Sequence, residues 1–354
     1  MVMLSKKFIR KYDIMSLMEI PITQSREWQK LQDDLGEKSF FEQNKDFQYL
    51  AILKSTPVGN YLYCPYGPVT KDDTAFRKAI KSLKSLASQH QAIFIRIESQ
   101  DPTITKHFPK SAVKSQDLNP KETWLLDLAG NDEDLKSKLP SRLMRYYKSA
   151  SKKGITIEAS HDPADIHYLL DLQQELAKEK GINTFSENYL KTELSQPFAT
   201  LYLVRLYSSE GATRAGDGPG GGPPLSVSEV GEDKVRQDPP GRVIAAGLVF
   251  DDKTTRYNLQ GAQSDEGKKL HATGILTIQL ILDAKAKALK TFDFWGIAPE
   301  NATKDHPWAG FTNFKKTFAG YEKTYAVTYD IPLRPAKYKL YQLFRRLNRL
   351  IRKK

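Results

Sequence analysis

The sequence predicts an α/β protein built as two similar lobes, and three observations carry that reading. Apolar stretches of strand length alternate with longer segments of helical periodicity. The order strand, strand, helix, strand occurs once in each half of the chain. The 354 residues, 40% hydrophobic and 27% charged, suffice for two ordinary globular domains.

The elements follow from local pattern. Ser25 is an N-cap for a short helix ending at Gly36. Strands are expected over 47–54 and 60–64, joined by a Pro-Gly turn. In the segment 73–89, Phe76, Ala79, Ile80, Leu83, Leu86 and Ala87 recur on one helical face. Strands over 92–98 and 123–128 follow. A helix starting near Asn131 is split by Pro140, and its second part, 141–153, is strongly basic. Gly154 ends it before a strand over 155–159. Asp162 caps a long helix that opens on Pro163 and stops at Gly181. Strands over 200–207, 242–250 and 256–261 lead to a helix over 268–289 and a strand over 291–295. No residue-level repeat accompanies this repeated order.

The expected organisation is a first lobe over 1–150, a second over 151–322, and a returning strand and helix over 323–354. Residues 208–241, rich in Gly, Pro, Ser and charge, interrupt the second lobe. They hold too little apolar surface to offset their ordering entropy and read as a flexible insertion. A phosphate-cradling glycine loop would need a preceding strand, a following helix and a Lys-Ser/Thr pair.

Several chemistries find no support. The six histidines are scattered, with no HxxxH or CxxC spacing, so no metal is expected. There is no GxSxG, and the single cysteine, Cys64, reads as a core or strand-end residue. One cysteine excludes an internal disulfide and fits a reducing compartment. The longest apolar run, VIAAGLVF, is too short to span a membrane, and no secretory signal is apparent. A cytoplasmic protein is expected.

The net charge of +12 concentrates in the tail: Arg334 to Lys354 holds nine basic residues and no acidic one. There Leu340, Leu343, Phe344, Leu347, Leu350 and Ile351 share one helical face, with Arg345, Arg346, Arg349, Arg352 and Lys353 opposite. Three readings stay open: packing on the first lobe, contact with nucleic-acid phosphates, or docking to anionic lipid at the inner face of the plasma membrane.

Two strands, a helix and a strand also describe the GNAT acetyltransferase fold. The junction where such enzymes hold a CoA pyrophosphate reads GAQSDEGKKLHATG here. Asp265 and Glu266 would repel a pyrophosphate, which disfavours an acyl-CoA.

The stretch 283–320 (DAKAKALKTFDFWGIAP … HPWAGFTNFKKTFAG) resembles the C-terminal signature of the Fem-type aminoacyltransferases. Gln24-Ser25-x-x-Trp28, Pro65-x-Gly67-Pro68, the strand ending at Glu98, residues 145–154, and Tyr329-Asp330 followed by Tyr338 and Tyr341 agree in order. The resemblance covers nearly all of the chain outside 208–241. It implies two GNAT-like lobes, each a mixed twisted sheet flanked by helices. No heptad-patterned pair of helices is present, so no coiled-coil arm is expected.

The function so implied is aminoacyl-tRNA-dependent transfer of an amino acid onto the stem-peptide amine of a peptidoglycan precursor, either UDP-MurNAc-peptide or lipid II. An aminoacyl ester is already activated, so positioning and oxyanion stabilisation suffice, without a cofactor. By residue-to-residue match, Lys315 is the catalytic candidate. Its alternative reading is a surface lysine on a helix whose Phe311, Phe314 and Phe318 face the core. Glu98, Tyr189, Tyr257, Tyr66 and Lys30 are the substrate-binding candidates; Lys316, Arg345, Arg346 and Arg349 are those for tRNA. Phe185 stands where relatives carry an arginine, and Lys30 is only the nearest base to another family position. A monomer is expected. The competing functions are an N-acyltransferase using acyl-CoA and a non-catalytic basic module that binds RNA or membrane.

Overall fold

The computed structural model of the chain describes residues 18–180, 184–207, 241–303 and 305–351; most of the insertion, Gly181 and residues 352–354 lie outside these. The chain divides into two units, Met1–Lys121 with Thr324–Lys354, and Glu122–Lys323.

The first unit opens with α1 (Arg26–Asp34), capped by Ser25, whose Oγ accepts from the Trp28 backbone N–H. Strands β1 (Lys38–Gln43), β2 (Phe47–Lys54), β3 (Tyr61–Cys64) and β4 (Val69–Thr70) follow. Helix α2 (Asp73–Gln89), capped by Asp72, buries the apolar stripe legible in its sequence. Then come β5 (Phe94–Ile97) and the short β6 (Val113–Lys114). Cys64 ends β3 and is buried.

The second unit runs β7 (Glu122–Asp127), α3 (Asp132–Lys138), α4 (Ser141–Lys148), β8 (Ile155–Ser160), α5 (Ile166–Lys180), α6 (Glu187–Leu194), β9 (Ala199–Leu206), β10 (Arg242–Asp251) and β11 (Thr255–Gln263). Helices α7 (Asp265–Lys269) and α8 (Ala272–Ala286), β12 (Thr291–Gly296), α9 (Ala309–Lys315) and β13 (Tyr321–Thr324) complete it. The chain then returns to the first unit with β14 (Tyr329–Pro332) and α10 (Pro335–Ile351).

Each unit holds a seven-stranded mixed sheet. In the first the order is β1-β2-β3-β5-β14-β6, with β4 on β2; in the second it is β13-β7-β12-β11-β10-β9-β8. The unit boundary falls at Lys121, earlier than the 150 expected from sequence. The cause is β7, which hydrogen-bonds to β12, while Leu135, Leu139 and Tyr147 of α3 and α4 join the core of the second sheet. The helix expected over 268–289 is two helices, broken at His271, whose φ of +58° leaves the helical region. Among the described residues no coiled-coil arm is present, and no described helix is long and apolar enough to cross a membrane.

The returning segment is pinned by charge. Arg96 on β5 makes a two-pronged ion pair with Asp330 on β14, both contacts at 2.8 Å and both side chains 1% exposed. The Ser115 and Tyr338 hydroxyls also donate to Asp330. A buried carboxylate is tolerable only with such saturation. Tyr338 and Tyr341 of α10 then pack on Phe94. The Tyr-Asp … Tyr … Tyr pattern of the tail is thus a fastening of strand and helix.

Candidate functional site

Alternation along β12 sets the site. Phe292 and Phe294 enter the core that also holds Ile275, Ile278 and Ile281 of α8. Asp293 between them therefore faces the other side of the sheet, where it is 2% exposed. It accepts hydrogen bonds from the Thr123 hydroxyl and, at 2.7 Å, from the Trp295 backbone N–H. Trp295 sits in the left-handed region, φ +64°, which is costly for a bulky residue and held here by that bond. The turn presents two consecutive carbonyls to α9. Lys315 Nζ donates to Gly296 O at 2.6 Å and to Trp295 O at 3.4 Å. Burial brings the Lys315 pKa down to about 8, with Asp293 pulling it upward. Burial likewise pushes Asp293 up to about 6, against the hydrogen bonds and lysine charges that favour its ionised form.

Tyr257 on β11 is the register partner of Asp293. The parallel pairing of β11 and β12 ends there, while β11 continues to Gln263. The Tyr257 ring lies edge-on to Trp295 at 6.3 Å, and its hydroxyl donates to Asp252 at 2.8 Å. A bulge in the β10–β11 ladder pairs Tyr257 with Phe250 and Gln260 with Leu248, so Tyr257 and Gln260 share a face. Gln260 Nε2 donates to Glu193 at 2.9 Å, and Gln173 Nε2 donates to Gln260 Oε1 at 3.0 Å. Glu193 is 2% exposed, and burial pushes its pKa up to about 8. Its hydrogen-bond partner on α6 is Tyr189, one turn earlier, whose ring stacks on Phe185 at 4.9 Å. Three sequence candidates, Lys315, Tyr257 and Tyr189, thus lie in the second unit, Lys315 and Tyr257 both in contact with Trp295 and Tyr189 in the Glu193–Gln260 set.

The motif glycine Gly320 has a packing cause. A Cβ there would lie 2.2 Å from Leu125 O, so only glycine lets the chain run this close to β7. Phe314 and Phe318 pack in the core as expected, but Phe311 is 49% exposed, a correction to the three-phenylalanine face. The α9 helix ends at Lys315, too short to turn Phe311 and Phe318 onto one face. Lys316 is exposed, 5.5 Å from the Trp124 ring centre and 3.4 Å from Glu322.

Glu98, Tyr66 and Lys30 belong to the first unit. Glu98 is 3% exposed and accepts from the Tyr63 hydroxyl, from the Leu118 N–H at 2.6 Å, and from Asn119 through N–H and Nδ2 at 3.1 and 2.9 Å. Burial raises its pKa. Tyr66, φ +49°, donates to Pro120 O at 2.6 Å and lies tilted against Tyr325, ring centres 4.5 Å apart. Lys30 pairs with Asp34 on the exposed face of α1. Two motif residues are structural: Gln24 Nε2 donates to Pro65 O at 2.6 Å and its Oε1 accepts from Leu50 N–H, and a Cβ on Gly67 would overlap that amide. Arg345 lies 5.7 Å from the Tyr341 ring centre, Arg346 is exposed, and the Arg349 side chain is outside the described residues.

Asp293, Thr123, Glu193 and Gln260 went unnoticed as site residues in the sequence. Asp293 had a signal, a carboxylate between two phenylalanines in the strand TFDFW. Glu193 had none, since LKTEL reads as an ordinary helix surface.

Among the described residues no cluster of His, Cys, Asp and Glu could hold a metal. The residues at the α7 junction fit a CoA pyrophosphate poorly. Asp265 and Glu266 occupy its first turn, Ser264 Oγ accepts from the Gly267 N–H, and Gln263 Oε1 accepts from the Thr273 N–H that opens α8.

The FemAB family model matches residues 228–346. Among solved structures, that of FemX is similar with a TM-score of 0.72 at 17% identity, covering 94% of this chain and 97% of its own. The C-terminal domain of a putative lysylphosphatidylglycerol synthetase from Agrobacterium fabrum gives 0.54 at 13% identity, covering 93% and 95%. L-PGS from Bacillus licheniformis gives 0.52 at 14% identity, covering 94% and 99%. At such identities the likeness is one of fold. No curated protein matches.

Proposed function

We propose, from the premise that this chain is a Fem-type family member, that it is a transferase forming the interpeptide bridge of peptidoglycan. Its donor is an aminoacyl-tRNA and its acceptor the side-chain amine of a precursor stem peptide. The observation that carries this reading is Lys315, a half-buried ammonium fixed on two carbonyls at the end of β12, inside the matched region.

The chemistry needs little else. The neutral acceptor amine attacks the ester carbonyl, the carbonyl electron pair moves onto oxygen, and collapse expels the ribose oxygen as a hydroxyl carrying the proton that the new amide nitrogen gives up. An ammonium has three N–H groups, and the described contacts of Lys315 use two, both to carbonyls. The third serves the oxyanion, in surroundings where a fixed charge is worth more than in water. Asp293 supplies the counter-charge and holds the Trp295 turn that aims the carbonyls. Tyr257 and Tyr189 contact the precursor, and exposed Lys316 contacts the tRNA acceptor end.

The test is mass spectrometry of UDP-MurNAc-peptide and lipid II after incubation with a mixture of charged tRNAs, in parallel with acyl-CoAs. A mass gain of one or more aminoacyl residues from charged tRNA is expected. Gain only from an acyl-CoA, or none from any charged tRNA with either acceptor, contradicts the proposal.

A further inference from the structure

Helix α10 turns two faces to different surroundings. Tyr338 and Tyr341, each 5% exposed, anchor it on Phe94. The opposite face carries Leu340, Leu343, Leu347 and Leu350, exposed by 55, 52, 50 and 65%. The leucine face is therefore the outward one, because the two tyrosines and the Asp330 network take the inner side. At 100° per residue the four leucines fall within an arc of about 80°. Isolated exposed leucines need no explanation, but a stripe of four does.

We propose that this stripe docks the protein on an anionic membrane surface. The cations are placed for it. Exposed Lys339 and Arg346 flank one edge of the stripe and exposed Lys337 the other. No acidic residue occurs between Arg334 and Lys354. Long basic side chains beside a leucine stripe reach lipid phosphates while the leucines enter the acyl boundary. No other occupant suits both features. Nucleic-acid phosphates would engage the cations and leave the leucines in water. A second copy docked by the same face would bring the two sets of cations together. Residues 1–17 of this chain, with Lys6, Lys7, Arg10 and Lys11 against one acid, Asp13, repeat the same charge. This proposal does not depend on the reaction proposed above.

The test is co-sedimentation of the full chain with phosphatidylcholine vesicles, with and without about one third phosphatidylglycerol. Wild type binds the anionic vesicles, less so at high salt. Leu343→Glu with Leu347→Glu lowers that partitioning about tenfold or more at unchanged Tm, the substituted side chains being solvent-facing. A Leu347→Cys variant gives an independent reading, since the native Cys64 is buried. An environment-sensitive dye on residue 347 shifts to the blue on anionic vesicles. Absence of binding by wild type overturns the proposal, as does equal binding by the leucine variant or an unshifted dye. A wild-type dimer split by the leucine variant, without vesicle binding, assigns the stripe to a second copy instead. Loss of tRNA binding in Lys339→Glu with Arg346→Glu, with no vesicle binding by wild type, assigns the face to nucleic acid.

Discussion

Lys315 on α9 donates to the backbone carbonyl of Gly296 at 2.6 Å, and that carbonyl faces it because Trp295 turns through φ +64°. The turn is held from below by Asp293, which accepts from the Trp295 N–H. A lysine side chain with four rotatable carbons is thereby fixed in direction. Its partial desolvation lowers its pKa, and the nearby carboxylate keeps it charged at neutral pH.

The Lys315 charge gives a pH signature. With a pKa of about 8, the ammonium is lost as pH rises through that value, and the single-turnover rate acquires a falling alkaline limb there. Asp293→Asn removes the attraction that raises this pKa, so the limb moves to lower pH. A limb unmoved in the variant contradicts the pairing.

Stability runs the opposite way at the same residue. The folded pKa of Lys315 lies below the unfolded value of about 10.4, so the unfolded chain binds more protons between the two. Stability therefore rises with pH across that window. Lys315→Met removes this dependence, and urea denaturation at pH 7 shows it at least as stable as wild type.

Glu193 carries a similar cost from a carboxyl raised to about 8. The folded state binds its proton more tightly than the unfolded chain, so stability falls as pH climbs from about 4.3 towards 8. Glu193→Gln removes that fall and is more stable at pH 8 by on the order of 1–3 kcal/mol. Thermal melts between pH 5 and 8 measure it, and a slope unchanged in the variant refutes the assignment.

Glu98 is enclosed by donors from Tyr63, Leu118 and Asn119. Glu98→Gln leaves some of these without an acceptor and costs about 1–3 kcal/mol in denaturant unfolding. The transfer rate per folded molecule stays within about twofold. A large rate loss at unchanged stability would instead make Glu98 a substrate contact.

The Arg96–Asp330 pair is the fastening of the returning strand. Asp330→Asn leaves a buried guanidinium without its counter-charge, at a cost of about 3–5 kcal/mol. Chemical denaturation reads this directly, and a loss below about 1 kcal/mol would show that β14 is held by other contacts.

Much of this fold was legible. The 47–54 strand was placed by its apolar run and the 73–89 helix by its clean periodicity, and Ser25 caps where its side-chain chemistry requires. What stayed hidden depended on partners distant in sequence. KSFFEQ lacks clean apolar alternation, yet it pairs along β2 from Lys38↔Leu53 to Gln43↔Gln48. The eight-residue α6 is too short for a periodic signal. In α10 the leucines outnumber the tyrosines, so pattern alone left the inner face open; Tyr338, which donates to Asp330, and Tyr341 take it. The site was half legible. Lys315 was singled out through a motif whose Phe314, Phe318 and Gly320 are explained by packing. Asp293 became a site residue only once the left-handed Trp295 brought its own strand end over the lysine.

The measurement closest to the central claim compares wild type with Lys315→Met in single-turnover transfer from charged tRNA to the precursor, alongside binding of each substrate. The rate is expected to fall about 10²–10³-fold, with both dissociation constants within about threefold of wild type. Equal rates, or a loss accounted for entirely by weaker binding, would contradict a lysine that acts on the ester oxyanion.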